Sequence, residues 1–183
     1  MDVNLRSHLR YAVYLAKHKW FVFLACRRLG VPWLGVLHDL SKLDPREWRP
    51  YVERFYGRGQ RPDGTIVTDK ELPADLWLEY EGAWLIHERR NRHHPGWWVS
   101  HVNPHGWGTV NGEHTGNFTV LPMPRRYVAE MVADWDGARR AGAAGARATT
   151  REWYQDNGHR LPLHPRTTVL VDELLTELER GDR

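Results

Sequence analysis

The chain has 183 residues, 41% of them hydrophobic and 27% charged, with a formal net charge of +3. This composition supports one domain with a real core across 1–183 and excludes a disordered chain. A lone cysteine, Cys26, excludes a disulfide scaffold or cysteine-based zinc finger and suits the reducing cytoplasm, and no apolar run is long enough to span a bilayer.

Residues 4–29 read as one helix. Leu5, Leu9, Ala12, Val13, Ala16, Trp20, Phe23 and Leu24 keep three-to-four spacing, and Gly30 is its stop. Pro32 opens a second helical stretch, 33–43, which carries His38-Asp39. Asp44-Pro45 starts a third that runs to the Gly57-Arg58-Gly59 break, because proline suits a first helical turn. Residues 57–72 are polar and rich in turn formers, so they form a loop. Pro73 begins a long amphipathic helix that reaches about residue 93 and ends before Pro95. The stretch 96–122 holds Gly96, Gly106, Gly108, Gly112 and Gly116 and reads as a long Gly-rich loop with room for a short hairpin. Another helix starts at Met123-Pro124 and passes Trp135, and 138–148 reads as surface helix or linker. Two short helices, near 149–157 and 166–180, close the chain. The expected fold class is all-α.

Eleven histidines and ten tryptophans stand out from this ordinary composition. The sharpest local feature is His38-Asp39, since imidazole beside carboxylate suits Mn, Fe, Co, Ni or Zn better than Ca. Asp134 sits among Met131, Val132 and Trp135, where an unpaired carboxylate is costly to bury. His87, Asn91 and His94 are spaced i, i+4, i+7, which predicts one helical face behind Tyr80 and Trp84. Trp20, Trp33, Trp48, Trp77, Trp84 and Trp135 read as core. Trp97, Trp98 and Trp107 enter the Gly-rich loop and are candidates for a lid or base platform, and His101, His105 and His114 sit in the same loop.

The order His18, His38-Asp39, Asp134 on successive elements resembles the H…HD…D signature of the HD superfamily of metal-dependent phosphohydrolases. The blocks His38-Asp39-Leu40-Ser41-Lys42, Asn91-Arg92-His93-His94-Pro95 and Glu130-Met131-Val132-Ala133-Asp134-Trp135 are similar to a small bacterial and phage family of unknown function. That likeness covers most of the chain and implies an HD-domain-like helical bundle. It also implies that His18, His38, Asp39 and Asp134 bind one divalent transition metal. His8 competes with His18 as first ligand, and His18 is preferred because the similar family places its first histidine nearer the HD pair. His87 with His93 or His94 would hold a second ion, with Asp39 bridging.

The activity implied is metal-dependent hydrolysis of a small phosphate-bearing substrate, a nucleotide or related phosphoester, by attack of an activated water on phosphorus. A carboxylate or an imidazole such as His94 would accept the proton. Lys42 is the foremost candidate for the substrate phosphate, ahead of Arg89, Arg90 or Arg92. Glu47 would orient a site water or pair with Lys42. Two other readings use the same residues: an HD-fold di-iron oxygenase, and a non-catalytic interaction protein stabilised by metal. Acids and bases are interspersed along the chain, so nucleic-acid binding is not expected as the main role. No membrane partner is expected, and the oligomeric state stays open.

Overall fold

The computed structural model describes residues 3–100, 118–142 and 149–180. Among them the chain is an all-α bundle of seven helices: α1 (Leu5–Arg28), α2 (Pro32–Leu37), α3 (Pro45–Tyr56), α4 (Ala74–Arg90), α5 (Arg125–Ala141), α6 (Thr150–Asn157) and α7 (Pro165–Arg180). The strands β1 (Val99–Ser100) and β2 (Thr119–Val120) pair antiparallel, with Val99 opposite Val120, at the two ends of the Gly-rich segment. His101, His105, Trp107 and His114 lie outside the described residues, as does part of the expected linker 138–148. No helix among the described residues is long and apolar enough to cross a membrane.

Most helix boundaries follow local chemistry. The Asn4 side chain accepts the Ser7 amide at the start of α1, and Asp44 does the same for Arg46 at the start of α3. A reciprocal Thr149–Glu152 capping box opens α6, and Gly142 at φ 88° closes α5.

Helix α1 organises the rest. Its most extensive contact is with α5, and it also touches α2 and α3, while α4 packs on α3 and α7 on α5. Its buried face is Ser7, Tyr11, Leu15, His18, Val22, Ala25 and Cys26. That corrects the stripe expected from periodicity: Leu5 is 74% exposed, and Leu9, Val13 and Trp20 also face outward. Both stripes are apolar enough to be buried. The one chosen carries Ser7, which donates to the Tyr56 carbonyl at 2.7 Å, and His18, which finds a carboxylate partner on α5. The same correction reaches the tryptophans, because Trp20, Trp33 and Trp77 are exposed while Trp48, Trp84 and Trp135 are partly buried against the two cores.

Those cores divide α1 between them. One cluster joins Val22, Ala25 and Cys26 to Val128, Met131 and Val132 of α5 and to Val171, Leu174 and Leu178 of α7. The other joins Tyr11 and Leu15 to Tyr51 and Val52 of α3 and Ala83 of α4. His18 lies on the same buried face between Leu15 and Val22, so it marks the junction of the two clusters. Close helix approach at this level depends on Gly137, where a Cβ would come within 3.0 Å of the Val22 backbone nitrogen and 3.3 Å of the His18 carbonyl.

Candidate metal centre

The His38-Asp39 pair does not ride on a helix. Helix α2 ends at Leu37, His38 caps it, and Asp39 takes a left-handed conformation at φ 52°, ψ 26°. It is the only non-glycine residue with positive φ among the described residues. Aspartate is among the residues that tolerate this region best, and such strain persists where surrounding contacts over-determine it. One of those contacts is Lys19 of α1, which donates to the His38 carbonyl. The helix expected across 33–43 is therefore broken at the HD pair, with a 3₁₀ turn (Leu40–Leu43) beyond it. Within a continuous helix the two side chains would diverge around its surface; the break lets both turn into one gap.

A second break shapes the histidine-rich segment. Helix α4 stops at Arg90, and Asn91 caps it by donating from its side chain to the His87 carbonyl at 2.7 Å. The single helical face expected for His87, Asn91 and His94 is thus corrected. His87 comes from the helix, and His93 and His94 come from the turn ahead of Pro95. Both of them join the site, where one was expected.

Two groups of ligand-type atoms meet at Asp39. In the first, His18 Nε2 lies 3.2 Å from His38 Nε2 and 3.1 Å from Asp134 Oδ1. His38 Nε2 is 3.3 Å from the same Asp134 oxygen and 3.4 Å from Asp39 Oδ2. In the second, Asp39 Oδ1 lies 3.3 Å from His87 Nε2 and 3.6 Å from His93 Nε2, and His94 completes the set. In each group one atom per residue lies within 4.8 Å of every other, a spacing at which one ion can be held.

The chemistry of these atoms fits a cation. Asp39 Oδ1 and the Nε2 atoms of His87, His93 and His94 are all buried without a hydrogen-bond partner. Buried polar atoms are nearly always satisfied, and four orphans converging in one place match the donor set of a metal. The opposite ring nitrogens of His38, His87 and His93 are held by carboxylates, while His18 Nδ1 is buried without a partner. Glu130 Oε1 accepts from His38 Nδ1 at 3.2 Å and from His93 Nδ1 at 3.3 Å, so one oxygen serves a histidine of each group. Glu47 Oε2 accepts from His87 Nδ1 at 2.8 Å and from Ser41 Oγ at 2.9 Å. Asn91 Nδ2 donates to Ser41 Oγ, and Arg90 pairs with Glu47 Oε1 at 3.1 Å. Such outer contacts turn the Nε2 lone pairs toward a metal.

Charge is balanced tightly here. Burial works against the carboxylates of Asp39 and Asp134, but His38 and Lys42 around the first and His18 and His38 around the second hold both well below the usual range. Burial likewise opposes a charged His38, yet Asp39, Asp134 and Glu130 outweigh it and raise its pKa well above the ordinary value. His94 goes the other way. Burial and the neighbouring His93 and His87 push it well below, so it stays a neutral imidazole. Lys42 donates to Asp39 Oδ2 at 2.6 Å, and that contact outweighs its burial and raises its pKa.

The remaining candidates fall into place. His18, and not His8, stands beside the HD pair; His8, near the start of α1, accepts from Trp48 Nε1 at 2.9 Å. Glu47 holds His87 and Ser41 while Lys42 is held by Asp39, so of the two alternatives for Glu47 the pairing with Lys42 is not formed. Arg90 is engaged by Asp44 and Glu47, Arg92 lies over Trp97 and bonds Tyr127 Oη, and Arg89 is exposed. Trp98 packs on Tyr127 and donates to the Arg92 carbonyl. Sequence reasoning gave no role to Glu130, Ser41 or Asn91 as supports. For Glu130 a signal existed, since it precedes Asp134 by four residues and so shares its helical face.

Residues 7–177 match a family of unknown function (DUF5662), and the chain belongs to that family. No curated protein and no solved structure matches it.

Proposed function

We propose that this member of DUF5662 is a divalent-metal-dependent phosphohydrolase acting on a nucleotide or a related small phosphoester. One observation carries the reading: Asp39 offers Oδ2 to the His18–His38–Asp134 group and Oδ1 to the His87–His93–His94 group, so one carboxylate joins two buried ligand sets. The resemblance of His18, His38-Asp39 and Asp134 to the HD superfamily signature supports it.

His18, His38, Asp39 and Asp134 would hold one ion, and Asp39 with His87, His93 and His94 a second. Imidazole mixed with carboxylate suits Mn, Co, Ni, Fe or Zn. When bound, such an ion supplies Lewis-acid polarisation of a phosphoryl oxygen and acidifies water. The protein's own contribution is positional and electrostatic. Glu130 and Glu47 accept hydrogen bonds from the Nδ1–H groups of His38, His93 and His87 and so keep each Nε2 facing inward. Lys42 Nζ brings a fixed positive charge to Asp39, where it draws a phosphate oxygen. His94, held neutral by burial, is free to act as ligand or as proton acceptor.

The test is metal analysis of the purified protein, followed by a screen of ribo- and deoxynucleotides with Mn, Co, Ni or Mg beside Asp39→Ala and His38→Ala. We expect at least about one equivalent of metal and phosphate release in the wild type, with both lost in Asp39→Ala. Less than about a tenth of an equivalent, or binding unchanged in Asp39→Ala, refutes the reading. A set of five imidazoles and two carboxylates also favours iron, which keeps a di-iron oxygenase as second reading. Iron with an optical signature and oxygen uptake in place of phosphate release would select it. Unfolding on metal removal with no turnover of any kind would identify a metal-stabilised interaction protein instead.

A further inference from the structure

A cavity of about 450 Å³ adjoins the ligand cluster, within the size range of small-molecule sites. Five of the chain's seven tyrosines line it, together with Phe55 and Trp84. Three of these rings lie against ligand histidines: Tyr14 is stacked on His18 at 6.0 Å, Tyr51 meets His87 edge-on at 6.1 Å, and Trp84 meets His94 edge-on at 5.1 Å. The cavity wall is thus the reverse side of the candidate metal centre. Lys42 belongs to both, since it lines the cavity and bonds Asp39.

The polar content of the wall is specific. Tyr11 and Tyr51 are almost wholly buried and their hydroxyls are closed off from the open space, so what they give the wall is aromatic. Lys42 and Arg10 are the charged residues of the lining, and no carboxylate belongs to it. A hydrocarbon would fill the space but leave the Lys42 and Arg10 charges unmatched. A compact phosphate would meet Lys42 but leave the aromatic faces unused. A flat ring joined to an anionic group meets both features, because aromatic side chains stack on any base face.

We infer that this cavity holds the nucleobase of the substrate among its aromatic rings, with the phosphate toward Lys42 and the ligand cluster. The inference rests on the phosphohydrolase reading for its choice of phosphate, and it moves the base platform from the Trp97–Trp98 segment to the tyrosines of α1, α3 and α4.

Calorimetric titration of the manganese-loaded protein with nucleoside monophosphates, ribose 5-phosphate and inositol phosphate tests it, with metal content measured for each variant. At least one nucleotide is expected to bind about tenfold or more tighter than ribose 5-phosphate. Tyr56→Leu and Tyr80→Leu, which remove a ring from the wall, should each cut that margin roughly threefold to tenfold with metal content retained. Ribose 5-phosphate or inositol phosphate binding as tightly as every nucleotide overturns the inference, as does a margin unaffected by either variant. Phosphate release without base preference sinks the base site and leaves the hydrolase reading intact. Tyrosine-dependent nucleotide binding with no phosphate released does the reverse.

Discussion

Asp39 carries two demands that few residues meet together: a left-handed backbone and a carboxylate that faces two ligand groups. Glu130 meets a matching demand one layer out, with a single oxygen holding His38 and His93. Glu130→Gln removes the charge but keeps the shape, so metal affinity should fall about 10–100-fold in a chelator-competition titration while the fold is kept. Full affinity in that variant would show that the two rings are oriented by packing alone. The pH dependence has a definite sign. His38 has a raised pKa in the metal-free fold, so its charge stabilises that fold at low pH, and the contribution is lost as pH rises through the raised value. Protons also compete with metal for the same ring. Both effects make the melting-temperature gain on adding manganese grow from about pH 6 to about pH 8. A gain that shrinks over this range argues against imidazole ligation.

Helix positions follow from packing that single-helix periodicity does not contain. Helix α1 has two apolar stripes, and the buried one is set by what α3 and α5 present to it: Tyr51 and Val52 on one side of His18, Val128 and Val132 on the other. Gly137 sets how closely α5 approaches α1 at the level of His18 and Asp134. Gly137→Ala places a Cβ against the Val22 backbone, which cannot swing away as a side-chain end can. We expect a loss of about 1–3 kcal/mol in denaturant unfolding, since overpacking forces backbone shifts of this cost. Weaker metal binding should accompany it, because Asp134 moves with α5. Unchanged stability would mean that the two helices slide apart without strain. The ends of α2 and α4 teach the same lesson. The helices expected over 33–43 and 74–93 run on past His38 and Asn91, yet the chain turns there, with Asp39 in the left-handed region and the Asn91 side chain bonded to the His87 carbonyl.

At the scale of the whole molecule, the site sits where two hydrophobic clusters meet, so ligand residues from α1, the HD turn, α4 and α5 tie the bundle together. Metal that binds only the folded state should stabilise it by about 2.7 kcal/mol at a hundred times its dissociation constant. For a chain of this length that corresponds to roughly 5–10 °C in melting temperature. A chelator should reverse the shift, and calorimetry that shows no shift would deny any link between the centre and the fold. By itself the sequence determined the all-α class and the start of nearly every helix, because caps and prolines are written in local residue type, while the metal-ligand candidates came from the resemblance of their order to a known signature. The tertiary structure decided which face of α1 is buried, that both His93 and His94 turn inward, that Glu47 and Glu130 serve as supports, and that tyrosines from three helices enclose one cavity. Those outcomes depend on which surfaces meet across the bundle, and the free energy of meeting belongs to pairs of elements rather than to any one segment.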